Sequence, residues 1–396
     1  MPGFELFGAE ERAQVTEVLD SGVLMRYGFD GARGGQWKSR ELEAALASRL
    51  GVRHAHVCSS GTAAVFTALA ACGVGAGDEV IVPPFTFVAD IEAVLWLGAA
   101  PVYAEIDETL CLSPAAVEMA ITPRTKAVLV VHMCGSMARL DALVEICARR
   151  NLVLIEDVAQ AAGATFRGRA LGTFGRAGTF SFDFVKTITC GEGGAVVTND
   201  AELHDVIQAF TDHGHDHRGR DRGADRHPIL GLNFRISELH SAVGLAQLRK
   251  LDAILDRQRA HKRLLKRGLS DIPGLGWREY PDPEGDSATF LSFFLPTEGS
   301  ARSAAKALAA AGVDGCFYWY DNNWHYHRQW QHFKTLASPS LLAAGKAGWL
   351  EQPGRIHVPR SDALMGRTIC MLIKVGWSEA DLRQRLDRMR SVLAAV

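Results

Sequence analysis

From about residue 54 to 200 the chain alternates short apolar runs with amphipathic stretches. The runs are rich in Val, Ile and Ala and do not alternate apolar with polar residues. Such runs mark strands covered on both faces. They lie at 54–57, 79–82, 101–106, 127–131, 152–155, 179–182 and 195–198, and helical periods fall between several of them, notably 62–71 and 140–150. Strand–helix–strand alternation predicts a mainly parallel seven-stranded sheet with right-handed crossovers, an α/β core. A polar segment over 211–228, crowded with His, Asp, Arg and Gly, has no apolar period and reads as a loop. Beyond it, 237–269 reads as a long amphipathic helix or a helix pair, 290–295 as a strand and 378–395 as a final helix. The division expected is a large domain over 1–245, its N-terminal segment free to pack on the second unit, and a smaller α+β domain over 246–396.

Composition narrows the function classes. The 396 residues are 47% hydrophobic and 22% charged, with 39 glycines and 14 prolines, which is ordinary globular usage and excludes a coiled coil, a collagen or a disordered chain. Forty-three Lys plus Arg against 45 Asp plus Glu give a formal charge of -2. That balance cannot hold a polyanion by bulk electrostatics, so neither nucleic acid nor a membrane surface is an expected partner. The opening MPGFELFGAEERAQV has neither a basic n-region nor an apolar h-region, and no stretch approaches the roughly 18 to 20 unbroken apolar residues of a membrane span. A cytoplasmic location is expected. The eight cysteines (58, 72, 111, 134, 147, 190, 316 and 370) are scattered without a CxxC pair, and are expected to be free thiols, mostly buried.

Four separated features carry candidate chemistry. Ser59-Ser60-Gly61-Thr62 follows a predicted strand and opens a helix, so backbone N–H groups, a hydroxyl and the positive helix end converge where a phosphate would sit. A plain N-cap explains the same residues. Asp157 ends an apolar run, at the strand edge where ligands of open α/β sheets bind. Its carboxylate would there hold a ring nitrogen protonated, or cap the segment that follows. Lys186 stands between a strand and the glycines of Cys190-Gly191-Glu192-Gly193-Gly194. A lysine is usually solvated, but apolar flanks and close backbone can desolvate the amine and suit it to a Schiff base. Phe87, in Pro83-Pro84-Phe85-Thr86-Phe87, follows another strand and would pack in the core or lie against a flat heterocycle. The joint occurrence on one sheet describes a site for pyridoxal 5'-phosphate.

These motifs (SSGTAA, PPFTF, EDVAQAAGA, SFDFVKTITCGEGG and GLNFRISELHSAVGLAQL) resemble the sugar aminotransferases of the DegT/DnrJ/EryC1/StrS family, of the fold-type I, aspartate aminotransferase-like class. The resemblance implies that Lys186 joins the cofactor and then moves a proton between substrate carbon and cofactor. Asp157 would pair with the pyridine nitrogen, Gln160 with the ring hydroxyl, and Phe87 would stack on the ring. Gly61, Thr62 and Ser181 would hold the phosphate, and Asn233 resembles the residue that reaches the phosphate of a neighbouring subunit, implying a homodimer with shared sites. A dehydratase branch of the fold carries histidine where this chain has Lys186, which favours transamination. Glutamate is the expected donor, leaving as 2-oxoglutarate and converting the cofactor to pyridoxamine phosphate in ping-pong kinetics.

Within the family, the opening MPGFELFG and the stretches 37–40, 105–114, 212–217 and 317–326 resemble the member that aminates the C8 aldehyde of 8-oxo-3-deoxy-manno-octulosonate to 8-amino-Kdo for lipopolysaccharide. The alternatives are a transaminase of a nucleotide-linked keto-hexose and a non-catalytic sensor that binds pyridoxal phosphate and a sugar. Because donor and sugar acid are both carboxylates, the site requires cationic or donor groups beyond the cofactor. The candidates are Arg26, His215 and Arg235, with Tyr320 as an aromatic wall; the competing readings are a dimer brace for Arg235, a surface residue for Arg26 and small-domain core for Tyr320. His213, His215 and His217 alternate with Asp212 and Asp216, a cluster that binds zinc in other settings, but a substrate loop is the favoured reading and no metal is expected. Cys134 and Ser136 stand near the donor's expected entry, and Asp90 and Glu92 place two acids beside the ring.

Overall fold

The computed structural model describes residues 3–219, 222–340, 342–346, 348 and 356–396. Met1 and Pro2 of the opening, and Arg220 and Asp221 of the polar segment, lie outside the described residues. Seven strands form the main sheet: β1 (His54–Cys58), β2 (Glu79–Val82), β3 (Ala100–Tyr103), β4 (Thr125–Val131), β5 (Val153–Asp157), β8 (Ala177–Ser181) and β9 (Gly194–Thr198), with a separate hairpin of β6 (Thr165–Phe166) and β7 (Arg169–Ala170) inserted before β8. The order is β1-β9-β8-β5-β4-β2-β3. Pairings from β3 through to β8 are parallel, and β9 runs antiparallel to both of its neighbours. The mainly parallel seven-stranded expectation therefore holds, with strand ends displaced by at most three residues.

The strands read as unbroken apolar runs because each has helices on both faces. Along β4, Val128 and Val130 enter one buried cluster while Ala127 and Leu129 enter the other, which is the period-two alternation of a strand between two apolar layers. The helices in chain order are α1 (Ala9–Ser21), α2 (Lys38–Leu50), α3 (Gly61–Ala71), α4 (Val88–Trp96), α5 (Pro114–Ala120), α6 (Leu140–Arg150), α7 (Ala201–Thr211), α8 (Glu238–Arg249), α9 (Leu251–Leu269) and α10 (Glu298–Ala310). Residues of α2, α5, α6 and α8 cover one face of the sheet, those of α3, α4 and α7 the other. Burial of a Leu, Ile or Val side chain contributes about 1.5–3 kcal/mol, so this double cover is the main source of stability. The helical stretch 237–269 proves to be a pair, α8 and α9, that breaks at Lys250. The Lys250 ammonium is drawn out of the helical line by Glu11 (2.7 Å) and the Leu6 carbonyl (2.8 Å).

The second sheet is antiparallel, in the order β10 (Gly276–Trp277), β11 (Phe290–Phe294), β13 (Thr368–Leu372) and β12 (Cys316–Phe317). Its core lies against α9, α10 and the last helix, Glu379–Leu393. A further cluster joins the two sheets, uniting Phe85, Val131 and Met133 with Phe290, Trp319 and Tyr326. There the chain at 325–327 lies alongside 84–86: Phe85 and Tyr326 form an antiparallel bridge, Thr86 N–H donates to the His325 carbonyl at 2.9 Å and His327 N–H to the Pro84 carbonyl at 3.1 Å. The eight cysteines are free, and all but Cys316 are buried. Among the described residues no helix is long and apolar enough to cross a membrane.

Candidate active site

The carboxyl ends of β2, β4, β5 and β8 face one cavity of about 450 Å³, as expected for an open α/β sheet. Gly61, Thr62, Phe87, Asp157, Gln160, Ser181 and Lys186 all line it. At its head Ser60 caps α3, its hydroxyl accepting the Ala63 N–H at 3.0 Å. The plain cap therefore exists, and the earlier amides of that first turn still have no helical partner. Glycine is required around this cradle. A Cβ at Gly61 would stand 2.6 Å from Ser181 Cβ, and one at Gly194 would stand 2.3 Å from the Ser60 carbonyl oxygen.

Asp157 is the last residue of β5 and is buried. Its Oδ1 accepts the Ala159 N–H at 2.8 Å, so it closes a local turn and caps no helix. Burial pushes its carboxyl up. Asp90 adjoins it, accepts the Thr86 hydroxyl, and is pushed well above its usual range by burial and by the Asp157 charge. Two adjoining buried carboxyls cannot both ionise cheaply, so they hold a proton between them. The acid at position 90 thus belongs to the site, while Glu92 does not line it.

Lys186 follows a turn closed by its N–H on the Asp183 carbonyl at 3.0 Å. Burial pushes its amine down, opposed by Asp157, Asp183 and Asp90. An amine so desolvated is a better nucleophile at neutral pH. Val65, Val131 and Met133 supply an apolar floor, and Phe87 is 46% exposed, which excludes core packing as its role.

The substrate candidates fare differently: none of Arg26, His215, Arg235 or Tyr320 lines this cavity. Arg26 is buried, donating to the Val57 carbonyl at 2.6 Å and to Glu43 at 2.7 Å. Arg235 pairs with Asp212 at 2.5 Å, and His215 Nδ1 lies 3.3 Å from Asp225. Tyr320 is buried beside Tyr326 and under the Arg328 guanidinium, 3.9 Å from its ring centroid. Arg26 instead lines a second cavity of about 460 Å³ with Tyr27, Arg40, Glu43, Arg222 and Asp225. Asn233 is exposed, with its Oδ1 accepting the Arg235 N–H at 3.3 Å.

Sequence reasoning missed Trp324 and His325, which also line the cavity. They belong to the aromatic stretch 317–326, where Tyr320 drew attention instead. The pairing of 325–327 with 84–86 brings them in, and no local period announces a contact across more than 200 residues.

Comparison with known proteins agrees with this geometry. A model of the DegT/DnrJ/EryC1/StrS aminotransferase family matches residues 6–347. An L-glutamine:2-deoxy-scyllo-inosose aminotransferase of Micromonospora echinospora is 45% identical over 315 residues, 76% of this chain and 74% of that protein. A GDP-perosamine synthase of Caulobacter vibrioides is 44% identical over 216 residues, 54% of this chain and 56% of that protein. Among solved structures, S. venezuelae DesV in complex with a ketimine intermediate superposes with a TM-score of 0.81 at 31% identity, covering 98% of this chain and 95% of that one.

Proposed function

Because the chain belongs to the DegT/DnrJ/EryC1/StrS aminotransferase family and is a pyridoxal 5'-phosphate-dependent sugar aminotransferase, we propose that it moves the amino group of glutamate to the C8 aldehyde of 8-oxo-3-deoxy-manno-octulosonate, giving 8-amino-Kdo. The observation that carries the catalytic reading is the desolvated amine of Lys186 facing a buried acid, Asp157, in a cavity headed by a helix N-terminus. What supports the narrower substrate is the stretch 317–326, which carries the resemblance to that activity and supplies Trp324 and His325 to the cavity wall.

The residues fit the cofactor. Glycine at 61 leaves room for a phosphate between α3 and Ser181, the floor is apolar, and Asp90 Oδ1 is a buried acceptor with no hydrogen-bond partner. When bound, pyridoxal 5'-phosphate supplies an electron-accepting ring that takes the amino group from one substrate and releases it to the next. Thr62, Ser181 and the first turn of α3 would hold the phosphate against the helix dipole. Asp157 would carry the negative charge that keeps the ring nitrogen protonated. Gln160 would donate an amide N–H to the ring oxygen, and Phe87 would cover one face. Lys186 Nζ accepts a proton from the donor's α-carbon and returns one to the sugar's C8, so that both half-reactions use one base.

Lys186 is the only Lys or Arg lining the cavity among the described residues, yet both substrates are carboxylates. We assign the missing cation to a second copy of the chain, in a homodimer where Asn233 reaches the partner's phosphate. A nucleotide-linked keto sugar or a keto-cyclitol is the second reading, favoured by the named activities of the two relatives. A substrate panel tests this: purified enzyme with glutamate or glutamine as donor, offered 8-oxo-Kdo, 2-deoxy-scyllo-inosose and nucleotide-linked 3-keto and 4-keto hexoses. Highest kcat/KM for 8-oxo-Kdo with glutamate is expected. Preference for any other acceptor overturns the narrow substrate and leaves the aminotransferase intact.

A further inference from the structure

Gln160 and His325 meet across the cavity, one from the loop after β5, the other from the segment paired with 84–86. The Gln160 amide is fixed at its oxygen, which accepts the Cys134 N–H at 2.9 Å. Its nitrogen must therefore be the group 3.3 Å from His325 Nε2, and an amide nitrogen can only donate. Nε2 is then the unprotonated acceptor, which puts the imidazole proton on Nδ1, where the Thr86 carbonyl lies 3.3 Å away. The two hydrogen bonds agree on one tautomer. A doubly protonated imidazole would set N–H against N–H and force the amide to flip away from Cys134.

His325 is held for this task. Its own carbonyl accepts the Thr86 N–H at 2.9 Å, the Trp319 ring stands edge-on with centroids 5.1 Å apart, and the Phe87 ring lies 5.6 Å away, tilted by 56°. Burial and the nearby Lys186 charge push the imidazole down to about 3, so it stays neutral over any working pH. One of the two amide N–H bonds of Gln160 is thereby taken by His325, and the other is left for whatever occupies the cavity.

We propose that His325 is a positioning residue: as a neutral imidazole protonated on Nδ1 it locks the Gln160 amide with an N–H turned to the cofactor's ring oxygen, and it braces Phe87 over the ring. This rests on the cofactor reading above, in which Gln160 meets that oxygen. A donor there stabilises the oxygen anion and so lowers the pH at which the neighbouring nitrogen, joined to Lys186, loses its proton. Asp157, Asp183 and Asp90 set the remaining field at Lys186 and are unchanged by substitution at 325.

The readout is the pH midpoint of the visible absorption change of the cofactor-loaded protein, independent of turnover. His325→Phe and Gln160→Leu should each raise the midpoint by about one pH unit, a tenfold change in proton affinity. The double variant should match either single one, because the two residues act through one bond. His325→Gln, whose amide oxygen replaces Nε2 as acceptor, should keep the midpoint near the wild-type value, and it serves where the Phe variant fails to load. An unshifted midpoint in loaded His325→Phe, a shift in His325→Gln as large as in the Phe variant, or additive shifts in the double variant would overturn the proposal. Wild-type protein showing no cofactor band at all would instead defeat the cofactor reading itself.

Discussion

Among the molecule's cavities, those around Lys186 and Arg26 are of nearly the same size, about 450 and 460 Å³, and their charges behave in opposite ways. Around Arg26 opposite charges meet within the chain: Arg26 pairs with Glu43, and Asp212 gathers Arg222 and Arg235. Around Lys186 burial pushes one amine down and two adjoining carboxyls up, with Asp183 and Glu192 also on the lining above a floor of Val and Met. A self-neutralised cavity is already satisfied by folding, whereas a cavity with perturbed groups is completed only by a ligand. Counting cationic residues near a motif therefore points to the cavity around Arg26, whereas the proposed chemistry lies around Lys186.

Substitutions on the two sides should separate accordingly. Lys186→Ala removes the base and the covalent anchor, and should lower kcat by about 10⁴ or more with little change in melting temperature; steady-state rates with saturating donor check it. Asp157→Asn keeps the shape and removes the charge that holds the ring nitrogen protonated, so kcat should fall by about 10²–10³, with a blue-shifted cofactor spectrum as the second readout.

On the other side, Asp212→Asn should cost about 1.5–3 kcal/mol of stability, since a buried carboxylate bonded to two arginines is lost, measured by denaturant unfolding. Its effect on kcat should be far below that of either cavity variant. The pH dependence has a definite sign. Asp212 is depressed to about 2 in the folded chain, Arg222 and Arg235 outweighing its burial, against about 3.9 unfolded. Its stabilisation is full above the unfolded value and disappears as pH falls through about 2, and the Asn variant should lack that acid limb. Gly61→Ala is the smallest test. The new Cβ must displace Ser181, at about 1–3 kcal/mol, and the expected result is weaker cofactor retention in dialysis with unchanged substrate KM.

The same contrast explains what could be read from the chain alone. Strand positions were legible because two-sided burial writes itself into the residue types, as in the Val-Ile-Val of β2. Lys186 and Asp157 were legible because strand ends and glycine clusters are local marks. Arg26 lies away from the Lys186 cavity of its own chain, because proximity in sequence to a motif says nothing about which way a guanidinium turns, and Glu43 and the Val57 carbonyl claim it. His325 was invisible as a site residue for the converse reason: its place depends on Thr86 and Gln160, which only the folded chain brings to it.

The central claim is that the desolvated amine at position 186 is the one joined to the cofactor. Reduction of the cofactor-loaded protein with borohydride, followed by proteolysis and mass mapping, reads it directly. The account predicts a stable pyridoxyl label on Lys186 and on no other lysine; protein that carries the cofactor but shows its label elsewhere, or none after reduction, would contradict it.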